Sequence, residues 1–261
     1  MTLKFYSNPI IMKNIISILL LVASFSLFSQ NDNRFEPTND KSGNLRFASQ
    51  VVGGLNVGAS MPIPISNRMS DFSWVPPFSP YLGYKLTAYS NSNFGITSGL
   101  IFEAKGMKVQ ASVYQLYTEV IVDGIETKGF FTGRNKTEVD NFYMTFPLEF
   151  SYLKPKYRVN LGMHFSYVLS HEFDGEVSDG YLRKDTPVGD RILVTSSPYN
   201  FDDEVRKFDM AVSLSYERKI WNNLNLTCGL NWSLTPLMNS SFTGLPYKMY
   251  NVYANIGVSY Y

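Results

Sequence analysis

The chain has 261 residues and a formal net charge of +1, so its charge gives no reason to expect a nucleic-acid partner. A single cysteine, Cys228, excludes a disulfide framework or a cysteine-based metal cluster within one chain. Only 17% of the residues are charged whereas 15% are aromatic, and this composition requires an apolar surface or core that accommodates many rings.

The N-terminal segment predicts a cleaved signal peptide over residues 1–29. An apolar run, residues 15–28, follows Lys13 and gives way to small and polar residues, which is the order of a secretory signal. The run is shorter than the ~20 residues that a transmembrane helix needs, and a membrane anchor is the alternative. Met12 is the expected genuine start, and residues 30–46 are the expected periplasmic lead.

From residue 47 onward, apolar and polar residues alternate with the period of a β-strand that has one apolar face. In residues 224–234, leucine, cysteine and tryptophan alternate without exception with asparagine, threonine, glycine and serine. Strands of this length are typical of membrane crossing, which takes ~9–11 residues. In chain order, the alternation predicts strands over residues 47–60, 79–89, 94–107, 142–152, 158–169, 208–217, 224–234 and 251–260.

The connections between these strands alternate in length, with short turns on one side and long loops on the other, as in outer-membrane barrels. Segment 109–122 is itself β-prone, so a hairpin is expected to project beyond the membrane. The expected fold class is all-β: a transmembrane antiparallel up-and-down β-barrel of about eight strands over residues 47–261, integral to the bacterial outer membrane. A soluble lipocalin-like barrel is the alternative. The predicted short links lie near residues 90–93, 153–156 and 219–223, and the long ones near 61–78, 108–140, 170–206 and 235–248.

Three segments carry a likeness to a known family. Residues 142–152 hold a Pro147-Leu148 pair in mid-strand and are followed by the turn 153–157 and by Leu161-Gly162. Residues 102–108 and 208–234 are the other two segments. On these residues, the chain resembles the PorT-like outer-membrane β-barrel family of Bacteroidota. The resemblance implies an outer-membrane location and, for some members, a part in protein secretion, and it implies no catalytic residues.

The polar face of the predicted barrel carries charged residues that are expected to lie in the lumen. A turn centred near residues 154–155 pairs Glu149 with Asn160 and brings Arg158 within reach on the diagonal. Since eight strands enclose an interior that side chains fill, we expect a salt-bridged polar plug, with a proton or ion relay as the alternative. The predicted lumen residues are Lys85, Glu103, Lys105, Glu149, Arg158 and Asp209.

Catalytic and metal sites receive little support from the sequence. His164 and Ser166 share one strand face, as the base and nucleophile of outer-membrane lipid A deacylases do, but the alternation turns both inward, away from a lipid substrate. The loop 170–206 is rich in acidic residues, yet it lacks the spacing of a calcium loop. We therefore predict no catalytic residue, no metal ligand and no cofactor.

The predicted function is that of a non-enzymatic outer-membrane barrel that serves as a scaffold or accessory subunit of an envelope complex, such as a protein secretion machinery. Its expected partners are outer-membrane lipid and the proteins of such a complex. One alternative is a small-ligand binder or narrow transporter that uses the polar lumen. A second, with less support, is a lipid-modifying acyl hydrolase.

Overall fold

The computed structural model describes residues 45–64, 67–90, 93–122, 125–184 and 186–261. The predicted signal peptide, the start at Met12 and nearly all of the predicted lead 30–46 lie outside the described residues. Within the described part, no helix has the length and apolar character to cross a bilayer. The strands are β1 (Arg46–Pro62), β2 (Met69–Val75), β3 (Pro80–Tyr89), β4 (Phe94–Val122), β5 (Ile125–Leu153), β6 (Tyr157–Ser170), β7 (Phe173–Lys184), β8 (Arg191–Asn200), β9 (Phe208–Lys219), β10 (Leu224–Ser233) and β11 (Met249–Tyr260), with one 3-10 turn at Asp202–Glu204.

Eight of these strands close into a ring of antiparallel neighbours. The order around the ring is β1, β3, β4, β5, β6, β9, β10 and β11, and β11 returns to β1. The seam between the first and last strands runs from the pair Val51 and Tyr260 to the pair Pro62 and Met249. The prediction of an all-β antiparallel barrel is confirmed, and about eight strands is right for the closed ring.

Three further strands extend the sheet at one end of the ring. β4 and β5, of 29 residues each, continue far beyond it as a paired hairpin. β2 pairs with the outer part of β4, β7 pairs with the outer part of β5, and β8 pairs with β7. The total is therefore eleven strands, because segments 61–78 and 170–206, predicted as loops, each contribute to this extension. The ring's other end carries the short turns.

The outer surface of the ring is apolar. On β10, Leu226, Leu230 and Trp232 are exposed, and the single cysteine, Cys228, shares their outward face. Exposed apolar side chains form similar rows on β1, β4, β5, β6, β9 and β11, and β3 contributes the exposed Leu86. A continuous apolar surface of this kind is unfavourable in water and indicates contact with lipid. The closed ring is compatible with lipid because its backbone N–H and C=O groups are hydrogen-bonded within the ring.

The interior has two layers of opposite polarity. Within the ring, the inward side chains of β4 up to Lys105 are polar or small apart from Ile101, whereas Met107 and Val113 beyond it are apolar and buried. The outward-facing side chains of β4 change from apolar to polar over the same stretch, from Phe102 to the half-exposed Lys108. The apolar layer lies at the end of the ring that carries the extension, which we call the upper end. Its buried members are Ala59, Met107, Val139, Phe173, Val205, Leu237, Met238 and Met249.

Candidate functional site

The first ionic group inside the ring joins β3, β5 and β6. Lys85 Nζ lies 2.9 Å and 3.1 Å from the two carboxylate oxygens of Glu149. His164 Nε2 lies 3.0 Å from the same carboxylate, on Oε1. All three residues are buried, with Glu149 only 1% exposed. A carboxylate in this setting is compensated by direct contact with a cation and by a second hydrogen bond.

A second group lies on the neighbouring part of β4. Lys105 Nζ is 3.1 Å from Glu103 Oε1 and 4.9 Å from the centre of the Tyr143 ring. The Thr145 hydroxyl donates to Glu103 Oε1 at 2.7 Å, and the Asn56 amide donates to Oε2 at 3.1 Å. Both carboxylate oxygens of Glu103 are therefore satisfied, which is the condition for keeping a charge in an interior.

A third group lies nearer the short-turn end. Arg158 Nη1 is 3.9 Å from Glu217 Oε1 and donates to the Thr87 hydroxyl at 3.1 Å. The Arg158 guanidinium also lies over the Tyr261 ring, 5.3 Å from its centre. Glu217 accepts further hydrogen bonds from Asn160 at 3.0 Å and from Ser259 at 3.1 Å. These contacts link β3, β6, β9 and β11 across the interior.

Asp209 forms a fourth group at the other end of the polar layer. It accepts hydrogen bonds from the hydroxyls of Ser233 and Thr235, each at 2.7 Å, and from the Asn251 amide at 3.2 Å. Asn251 also donates to the Tyr143 hydroxyl at 3.2 Å, which connects this group to the second one. Among the residues that the structure describes, neutral donors rather than a direct salt bridge therefore hold the Asp209 carboxylate in place.

The predicted register of the β5–β6 hairpin is wrong by two residues. Glu149 lies opposite Gly162, and Asn160 lies opposite Ser151. The reason is the turn, in which the Lys154 N–H donates to the Tyr157 carbonyl and Leu153 pairs with Arg158. The centre of the turn is thus one residue further along the chain than predicted, which moves each cross-strand partner by two. The glycine opposite Glu149 allows the two backbones to approach closely, because a Cβ on Gly162 would collide with the backbone of Leu148 and Glu149.

The structure places all six predicted lumen residues inside the ring, in four groups rather than one. Two further members of the ionic groups, Glu217 and His164, were not among the predicted lumen residues. Glu217 follows Asp209 in the same inward phase of β9, so the alternation alone was enough to find it. His164 was considered only as a base beside Ser166. In the structure, Ser166 pairs with Thr145 at 2.8 Å while His164 contacts Glu149.

The ionic layer leaves little free space. The cavity among Lys85, Glu103, Glu149, His164 and Glu217 measures about 30 Å³, and ~30 Å³ is the volume of one water molecule in the liquid. Three buried cations, including Lys105 and Arg158, stand against four buried anions, including Asp209. Among the described residues, no group of three or more His, Cys, Asp or Glu side chains is placed to hold a metal ion. The arrangement acts as a plug that is nearly balanced in charge.

Comparison with known proteins agrees with this architecture. The family described as outer membrane protein beta-barrel domain matches residues 28–239, which is most of the chain. A comparison with curated proteins gave no match. The matched range covers every ring strand except β11, and β11 supplies the seam with β1. The chain therefore belongs to the outer membrane protein beta-barrel domain family, and it is an integral protein of the bacterial outer membrane.

Proposed function

We propose that this barrel is a non-enzymatic scaffold or accessory subunit of an envelope complex, which a protein partner joins on the cell surface. In outer-membrane barrels, short turns face the periplasm and long connections face outward, so the extension formed by β2, β4, β5, β7 and β8 is extracellular. A protein secretion machinery is one such complex, as the resemblance to PorT-like barrels implies. Membership of the PorT-like group within the outer-membrane barrels stays a prediction.

One observation carries the proposal: β8 is an edge strand outside the membrane. β8 pairs with β7, and it ends the strand order of the described sheet. Its Leu193 side chain is 79% exposed, whereas the next residue, Val194, is 3% exposed and packs in the core of the extension. An edge with an exposed leucine is suited to receive a strand from another chain, with backbone hydrogen bonds for affinity and the side chain for specificity.

The filled lumen supports the same proposal by disfavouring the transport alternative. An eight-stranded ring has room for side chains and little else, and the three ionic groups and Asp209 occupy that room. The acyl hydrolase alternative gains a carboxylate partner for His164 in Glu149. However, this pair faces the plugged interior, where about 30 Å³ is too little for a lipid ester.

The experiment compares two variants of the full-length protein, cross-linked in whole cells and purified from solubilised outer membranes. Leu193→Lys places a charge on the β8 edge and is expected to abolish a stoichiometric partner that the wild-type protein recovers. Tyr114→Lys is the matched control, because Tyr114 is 60% exposed but lies on β4, an inner strand of the extension. Recovery of the wild-type barrel alone, or equal loss of the partner in both variants, would contradict the proposal.

A further inference from the structure

A slit opens in the wall of the barrel above β3. The ladder between β1 and β3 ends at the pair Leu55 and Pro80, and one more hydrogen bond joins Asn56 N–H to the Ser79 carbonyl at 2.8 Å. β1 then continues to Pro62 with β11 as its partner. On the other side, β4 continues with β2, which pairs with no other described strand. Among the described residues, no backbone ladder joins the last part of β1 to β2, although both strands line one cavity. Just below this stretch, the Asn56 amide donates to the Ala104 carbonyl at 3.0 Å and so joins β1 to β4. We call the unpaired stretch between β1 and β2 the slit.

An apolar cavity of about 300 Å³ lies behind this slit. Four methionines line it together with aliphatic and aromatic side chains, and the polar contributions come from Ser60, Asn135 and Thr137. Unbranched methionine side chains adapt to flexible apolar ligands. The volume is at the lower end of the range of small-molecule pockets, ~300–1,000 Å³, which suits one slender chain. Representative lining residues are Met61, Met69, Trp74, Met107, Val109 and Met249.

The cavity has a polar floor. Met107 follows Lys105 by two residues on the inward face of β4, and Met249 precedes Asn251 by two residues on the inward face of β11. Lys105 and Asn251 belong to the ionic layer described above, where both are at most 3% exposed. An apolar ligand would therefore fill the upper layer and stop at the charged layer, which fixes the depth that it can reach.

The rim of the slit carries apolar side chains at the level where the membrane ends. Phe72, Trp74, Val75 and Phe78 are between 44% and 79% exposed. Val75 lies opposite Lys108, and Lys108 is where the outward row of β4 becomes polar. Aromatic residues are typical of this interfacial belt. A ligand that arrives from the bilayer meets an apolar path throughout, whereas a ligand from water must first pass this apolar rim.

We propose that the apolar cavity binds one acyl chain of an outer-leaflet lipid, which enters sideways through the slit between β1 and β2. The membrane-level rim selects the bilayer as the source, the methionine-rich walls select a hydrocarbon chain, and the volume limits the number to one. This site is separate from the β8 edge, so the failure of either proposal leaves the other intact.

Trp74 provides a direct reporter of occupancy. In a Trp221→Phe, Trp232→Phe background it is the single tryptophan of the chain, since the sequence contains three. The folded protein in detergent micelles is titrated with a phospholipid whose acyl chains carry bromine, which quenches tryptophan fluorescence on contact. The proposal expects quenching that saturates at one lipid per barrel.

Two ways of blocking the cavity test whether the quenching comes from within it. Ala111→Phe adds a ring to the cavity wall and should remove the saturable quenching, whereas Gln110→Phe, on the opposite face of β4, should retain it. Because Ala111→Phe can fail to fold, a second block is made after folding. Met69→Cys in a Cys228→Ser background is modified with a bulky thiol reagent, with Gln110→Cys as its control.

Three outcomes would overturn the inference. The first is quenching that rises linearly with lipid and never saturates, because that indicates partitioning into the micelle. The second is saturable quenching that survives both blocks, because the lipid is then bound on the outer surface. The third is saturation by a free brominated fatty acid but not by the phospholipid, because the ligand is then a free fatty acid and not the acyl chain of a membrane lipid.

Discussion

Lys85 and Glu149, on strands separated around the ring by β4, form a two-contact ion pair inside the barrel at 2.9 Å and 3.1 Å. Removing one partner leaves a buried charge without compensation, which costs ~3–5 kcal/mol in other proteins. We expect Lys85→Met to lower the free energy of unfolding by an amount of this order, measured by urea titration of the folded barrel in vesicles. The double variant Lys85→Met, Glu149→Met should regain much of the loss.

The control for this prediction is an exposed pair in the same protein. Lys108 and Glu138 are 2.7 Å apart, but their side chains are 52% and 35% exposed. Exposed ion pairs contribute ~0–1 kcal/mol, so Lys108→Met should have a small effect. An equal cost for Lys85→Met and Lys108→Met would contradict the view that the interior pair is desolvated.

Gly162 is the second target, because it faces inward opposite Glu149. A Cβ at this position would collide with the backbone of Leu148 and Glu149. We expect Gly162→Ala to destabilise the barrel by ~1–3 kcal/mol, the usual cost of overpacking an interior. Gly53→Ala is the matched control, since its nearest contact would be the flexible Leu82 side chain at 3.3 Å. Both are measured by the urea midpoint, and an unchanged Gly162→Ala midpoint would show that the strands can separate locally.

The third prediction concerns conduction. With about 30 Å³ of free space in the ionic layer, the reconstituted wild-type barrel should add no steady ionic current to a planar bilayer. A reproducible current step that changes in Glu149→Gln or Arg158→Lys would instead favour the narrow transporter. The wild-type protein and the two variants are purified and measured in the same buffer.

The fourth prediction concerns pH and two glutamates, Glu172 and Glu138, that lie beyond the polar layer of the ring, on the side of the extension. Burial, followed by the neighbouring Asp174, raises the pKa of Glu172 above its usual 4.5. The ionised form is therefore disfavoured in the folded state, and Glu172→Gln should stabilise the protein at neutral pH. This gain should disappear as the pH falls through the raised pKa toward 4.5. The measurement is the urea midpoint as a function of pH.

Glu138 should behave in the opposite way. Hydrogen bonds from Lys108 and Lys136 lower the pKa of Glu138 below 4.5. Its ionised form stabilises the folded state above pH 4.5, so Glu138→Gln should destabilise the protein there. The cost should vanish as the pH falls below 4.5 through the lowered pKa. The same sign of effect for both variants at neutral pH would contradict this assignment.

Much of the ring was predictable because one physical rule, apolar outside and polar inside, governs most residues of the crossing strands; buried apolar residues such as Val52 and Ile101 are exceptions. The six lumen residues follow from that alternation. The register of the β5–β6 hairpin did not, since one residue of difference in a turn moves every partner. Strands β2, β7 and β8 were missed because they lie beyond the closed ring: β2 and β7 pair with the outer parts of β4 and β5, and β8 pairs with β7.

The membrane boundary was nevertheless present in the sequence of β4. Phe94, Ile96 and Phe102 are apolar at even positions, whereas Met107, Val109 and Val113 are apolar at odd ones. The change of phase marks the point where the outer surface of the sheet passes from lipid to water, and the core moves to the inside. Recognising it would have predicted the apolar layer, but not the cavity, because the slit depends on where β3 begins.

The seam between β1 and β11 has a consequence for biogenesis. Since the earliest and latest crossing strands must meet each other, no partial product of translation can complete the hydrogen-bonded wall in lipid. We therefore expect insertion to wait until residues up to Tyr260 have been exported. A polypeptide that ended at residue 239, where the family match ends, would lack β11 and would present two open strand edges to the bilayer. We therefore expect such a fragment to fail to insert into the outer membrane.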